Sequence, residues 1–160
     1  MIMDINIKEI FENATKDPSL FSTLDIENLL NSVENSKNDY LDDKTLSNVT
    51  EDIFYAINTL TCKSEIKKTF CEKLTGYRIV ERLDELHKGK HIRWIRISEN
   101  PVLTNGGIVT NIEFLDKGIY ITSMNMMRRF VKFKMDDCLV FQKLTMEEQL
   151  ILMAYEHIEK

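Results

Sequence analysis

The run HKGKHIRWIRI, His87 to Ile97, sets two histidines, two lysines and two arginines around the only tryptophan of the chain. Cations beside an aromatic ring are the chemistry of single-stranded nucleic-acid binding, with ammonium or guanidinium groups on phosphates and π faces under bases. If the run is a strand, His91, Arg93 and Ile95 project from one face and Ile92, Trp94 and Arg96 from the other, so basic and apolar side chains are mixed on both. Ile92, Trp94 and Ile97 would then be partly buried, with the arginine stems lying over apolar neighbours. A second basic cluster, Arg128, Arg129, Lys132 and Lys134, follows Tyr120 and contains Phe130. The candidate binding residues are therefore Arg93, Trp94, Arg96, Tyr120, Arg128, Arg129 and Lys132.

Other constellations carry less chemistry. Cys62, Cys71, His87 and His91 are zinc-type ligands by element, but the cysteines are separated by eight residues and form no local knuckle. Gly89 between the histidines argues against one helix presenting both, so no metal is expected. No nucleophile elbow frames a serine, and neither Cys138 nor His157 stands in a protease-like context. Asn105-Gly106-Gly107 opens a strand, whereas a phosphate loop opens a helix and carries a lysine and a hydroxyl. The pairs Asp42-Asp43 and Asp136-Asp137 fall in polar connections, where turn formation accounts for them. No catalytic residue and no cofactor is expected, and the chain is not read as an enzyme.

Charge divides the chain unevenly. The net charge is -5, yet residues 1–75 carry 8 basic and 14 acidic side chains while residues 87–134 carry 9 basic and 3 acidic. Folding the acidic part onto the basic one would neutralise both, and this competes with a nucleic-acid role for the same cations. With 43% apolar and 29% charged residues the composition is that of a globular protein. Three cysteines without regular spacing point to free thiols and a reducing, intracellular setting. No apolar run approaches the roughly 18 residues of a membrane span, and no membrane partner or secretory leader is expected.

Positioning falls to two kinds of element. All five glycines lie between Gly76 and Gly118, leaving the front free of them. Ile7, Ile10, Phe11 and Ala14 repeat at helical spacing, Ser22 and Asp25 suggest a cap ahead of Ile26, Leu29, Leu30 and Val33, and NSKNDYLDDK is a loop. Leu46, Val49, Ile53, Phe54, Ile57 and Leu60 form the cleanest amphipathic stripe, followed by Ile66, Phe70 and Leu74 with Gly76 as a left-handed terminator. From Tyr77 the period shortens. Strands are predicted over 78–82, 91–97, 107–115, 118–124, 129–135 and 139–143, with turn signals between them. Thr145 and Glu148 make a capping box that opens a last helix bearing Leu150, Met153, Ala154 and Ile158.

The segments YRIVERLDELHKGKHIRWIRI, LTNGGIVTNIEF, GIYITSM, RRFVKFKM and LVFQKL resemble the small barrel of the Src-homology-3 type over residues 77–144. The phrase DELHKGKHIRWI with its Gly-Gly-Ile-Val strand is also similar to small proteins of giant double-stranded DNA viruses. The resemblance implies a fold and a viral source, with the host cytoplasm or the virion as location; it carries no catalytic motif. The expected architecture is α+β: an N-terminal bundle of about four helices over residues 1–75, packed on a five- or six-stranded antiparallel SH3-like β-barrel over 76–144, closed by a C-terminal helix over 145–160. The expected function is a non-enzymatic binding or assembly module making protein–protein contacts. Single-stranded nucleic-acid binding by the basic and aromatic strands is the alternative. The methionine-rich SMNMMRRF hairpin adds an adaptable surface if it is exposed.

Overall fold

The computed structural model describes Tyr40, Leu41 and residues 44–159. The first two expected helices lie outside these residues. Contacts divide the chain into a unit running Val49–Leu144 and a second made from the residues on either side of it.

In the first unit, α1 (Leu46–Asn58, whose opening turn belongs to the second unit) and α2 (Ser64–Lys73) precede six strands. These are β1 (Tyr77–Val80), β2 (His91–Arg96), β3 (Gly107–Leu115), β4 (Gly118–Met124), β5 (Phe130–Lys134) and β6 (Cys138–Lys143). Short 3-10 turns at Leu83–Glu85 and Met135–Asp137 join β1 to β2 and β5 to β6. All pairings are antiparallel, in the order β1-β6-β2-β3-β4-β5.

Alternation sorts the strands onto two faces. Ile95 of β2 and Phe141 of β6 pack with Ile53, Ile57 and Phe70 from the helices and with Leu60 and Leu74, which follow them. Ile92, Trp94, Val80, Val109, Ile121, Val140 and Leu86 form a second cluster. Ile92, Ile95, Ile121 and Phe141 are wholly buried, each stabilising the fold by about 1.5–3 kcal/mol through apolar burial.

Two expectations are corrected. The described helices of the front half do not stack into a bundle of their own; they lay Ile53, Ile57 and Phe70 against the sheet. Nor is the sheet a closed SH3-like barrel: β1 and β5 end the strand order and do not pair with each other. β3 pairs with β2 only at His91↔Ile108 and Ile92↔Gly107. Beyond that point the connecting segment takes the same edge, through the Ile95↔Leu103 bridge and an exchange in which the Thr104 N–H donates to the Trp94 carbonyl at 3.0 Å and the Trp94 N–H to the Thr104 hydroxyl at 3.1 Å. The sheet is open. At single positions, Phe54 and Ile97 are 55% and 56% exposed where the pattern placed them inward.

The second unit holds α3 (Met146–Glu159). Its expected capping box is present: the Glu148 N–H donates to the Thr145 hydroxyl at 3.1 Å and the Thr145 N–H to the Glu148 carboxylate at 3.0 Å. The buried apolar positions are Ile151, Leu152, Ala154 and Tyr155, so Ala154 lies inward as expected while Leu150 and Met153 are only half-buried. Tyr40 donates a hydrogen bond to Glu148 and explains why this carboxylate is buried. Thr45 and Asn48 exchange the same reciprocal bonds at the start of α1, at 3.0 and 3.1 Å.

Gly106 and Gly89 both have positive φ, of 77° and 85°. A Cβ on Gly106 would meet the Ile92 carbonyl oxygen at 1.8 Å, whereas one on Gly89 meets nothing within 4 Å. Gly89→Ala should cost about 1 kcal/mol of conformational strain, and Gly106→Ala more than about 4 kcal/mol or the fold itself. Denaturant unfolding of the two variants side by side measures the difference.

Candidate functional site

Four strands contribute to a pocket of about 380 Å³ lined by Trp94, Arg96, Tyr120, Val131, Lys132, Phe133, Lys134, Asp137 and Cys138. It lies in the Val49–Leu144 unit, where β2, β4, β5 and the start of β6 come together. In a flat sheet β2 and β5 would be three strand spacings apart, roughly 14 Å. Instead the Trp94 and Phe133 rings stack with centroids 4.2 Å apart and planes 17° from parallel. The sheet therefore curls until two side chains bridge the opening that no backbone pairing closes.

The pocket brings together Trp94, Arg96, Tyr120 and Lys132 of the sequence-predicted residues, and leaves three elsewhere. Arg93 projects to the helix-covered face, where its Nε donates to the Thr104 carbonyl at 2.8 Å and its Nη1 to the Lys73 carbonyl at 3.4 Å. That arginine ties α2 and the β2–β3 segment to the sheet. Arg128 and Arg129 sit in the exposed β4–β5 turn. Trp94 is only 7% exposed, with one ring face against Phe133. Of the other lining residues, the sequence offered Lys134 as part of the basic cluster, Asp137 as a turn carboxylate and Cys138 as a thiol without catalytic context, while Val131 and Phe133 carried no signal; only the pairing of β4 with β5 and the curl bring them to the same place. The Tyr120↔Lys134 register, for example, has no signature in either segment alone.

Three cations and one carboxylate line this pocket. Lys132 Nζ bonds Glu113 at 3.2 Å and lies 5.6 Å from the Tyr120 ring centre. Arg96, Arg128, Arg129 and Lys134 make no ion pair with any described carboxylate. Cys138 lies among these groups, yet burial pushes its thiol up to about 11, with Arg96 opposing and Asp137 adding to the shift. The protonated thiol is a poor nucleophile at neutral pH.

The remaining chemistry-bearing residues are committed to packing. Cys62 and Cys71 sit at the rim of the helix-covered cluster as free thiols. His91 Nδ1 lies 3.1 Å from the Tyr77 hydroxyl. No group of three or more His, Cys, Asp or Glu side chains is placed to hold a metal among the described residues. Also unsignalled in the sequence is the buried Arg78, which donates to the Glu85 carbonyl, while Gln142 accepts from the His87 N–H at 2.9 Å. These two polar side chains hold the β1–β2 connection over the second core cluster.

No protein-family model matches the chain, and neither a curated protein nor a solved structure does. No helix among the described residues is long and apolar enough to cross a membrane.

Burial, then the charges of Lys143 and Arg93, hold the His91 imidazole below its ordinary 6.5. The unfolded chain therefore takes up the proton first as pH falls. Stability contributed by neutral His91 should be full above about pH 6.5 and lost as pH falls from there through the folded-state value. Unfolding free energies measured from pH 7 to 5 should show this loss in the native chain and a smaller one in His91→Gln.

Proposed function

We propose that the chain is a non-enzymatic binding or assembly module that takes an extended, acidic segment of a partner protein along the free edge of β5. The observation that carries this reading is the coincidence of an edge strand, β5, which pairs among the described residues with β4 alone, with a pocket of three cations and one carboxylate. An added strand gains backbone hydrogen bonds from the edge, and alternate side chains supply specificity. Acidic side chains of that segment would reach Arg96 and Lys134, with Phe130 and Val131, exposed on β5, offering apolar contact. On the sequence resemblance, the setting is a large DNA virus, in the host cytoplasm or the virion.

A second reading is single-stranded nucleic acid. It is favoured by the four cations from Arg128 to Lys134, only Lys132 of which is paired with a described carboxylate, beside Tyr120 and Phe130. It is weakened by Trp94, whose ring is covered and offers no platform for a base.

A triple change, Arg96→Ala with Lys132→Ala and Lys134→Ala, distinguishes them. With the recovered protein partner, affinity should fall by about 100-fold, equivalent to roughly 2.7 kcal/mol. Oligothymidylate should show no retention at moderate salt. Tight retention of that oligonucleotide with a steep salt dependence, lost in the triple variant, would overturn the protein reading in favour of nucleic acid.

A further inference from the structure

The β4–β5 turn carries Asn125, Met126, Met127, Arg128, Arg129 and Phe130 in succession. Met126 is 99% exposed, Met127 74% and Phe130 66%. Methionines this exposed at the end of a hairpin contribute nothing to either core cluster. The turn beneath them is nonetheless firmly built. The Asn125 carboxamide oxygen accepts from the Met127 and Arg129 N–H groups, each at 3.0 Å. The Arg128 N–H donates to the Asn125 carbonyl at 3.0 Å, and the Asn125 N–H to the Arg129 carbonyl at 2.9 Å. Arg128 itself adopts φ 58° to close the turn.

Two consequences follow from that geometry. The amides of residues 125, 127, 128 and 129 are already satisfied within the turn, so the tip can leave water without stranding these donors. Arg128 and Arg129, next to the methionines, are exposed and pair with no described carboxylate. An apolar tip flanked by cations is the pattern that enters a lipid interface, side chains in the acyl boundary and guanidinium groups at the phosphates.

We propose that this turn docks on an anionic lipid surface, with Met126 and Met127 inserted and Arg128 and Arg129 at the headgroups. A bilayer suits it better than a protein does. The tip offers two exposed methionines, whereas a specific protein interface buries about 1,000 Å² or more. The other hairpin end, at Phe114 and Leu115, is also exposed, but it carries Asp116 beside Lys117 and lacks an arginine pair. Docking of this kind is peripheral and uses no membrane-crossing helix.

The test is flotation of the full chain with vesicles of phosphatidylcholine, with and without phosphatidylserine. Binding to phosphatidylserine vesicles should exceed that to phosphatidylcholine alone by at least about tenfold. Met126→Ser with Met127→Ser should reduce it by about tenfold or more without shifting the thermal midpoint, since neither side chain is packed. Arg128→Gln with Arg129→Gln should remove the preference for the anionic lipid. A Met127→Trp variant should give an additional blue-shifted emission on vesicles, against the constant signal of buried Trp94. Absence of vesicle binding by the native chain overturns the proposal, as does binding indifferent to the methionine pair. Loss of a protein partner by the methionine variant with vesicle binding unchanged would make the turn a protein contact and also overturn it. The pocket cations are untouched in these variants, so the outcome is independent of the strand-addition reading.

Discussion

The burial of β6 on both of its faces is the constraint from which the rest of the Val49–Leu144 unit follows. Its backbone is paired along both edges, with β1 on one side and β2 on the other. Phe141 looks into the helix-covered cluster while Val140 looks into the other. A strand buried on both faces must be apolar at successive positions, and CLVFQK meets that demand from Cys138 to Phe141, ends on an exposed Lys143 and departs from it inside the protein only at Gln142. There the side chain lies wholly inside the protein and is used to hold the His87 amide. The last strand in sequence is thus an internal one, seated between β1 and β2, and the unit is not complete until it is in place.

Local structure was largely legible in the sequence. β3 and β4 span the predicted residues because Gly107 and Gly118 start them, and the Asp116-Lys117 turn joins them. The helical stripe of Ile53, Ile57 and Leu60 is buried as the spacing requires, and the box of Thr145 with Glu148 caps its helix. What periodicity does not contain is closure. A strand of alternating residues looks the same whether its sheet shuts into a barrel or stops at an edge, and here β1 and β5 end the strand order without pairing with each other. Helix stripes are silent in the same way about whether they meet another helix or a sheet.

Charge counting speaks only of totals. Most of the front-half acids lie outside the described residues, and the ion pairs among the described residues are local to the β region. Arg82 bonds Asp84 two residues away at 3.2 Å, and Lys132 reaches across the β3–β4–β5 ribbon to Glu113. The run from His87 to Ile97 divides its cations by face: Arg93 is spent on backbone carbonyls, and Arg96 reaches the pocket. Alternation in the sequence assigned these two arginines to opposite faces; only the three-dimensional pairing distinguishes a fastening from a free charge.

The ammonium groups on β5 have a further effect on how the molecule behaves in a crowded solution. Among the described residues β5 pairs along one edge alone, and an open edge is a ladder that an identical chain could extend, joining molecules edge to edge. With Lys132 and Lys134 alternating along that margin, two copies brought together would set like charges side by side, which disfavours stacking into fibres. The molecule can leave one side of its sheet uncovered and still resist polymerising with itself.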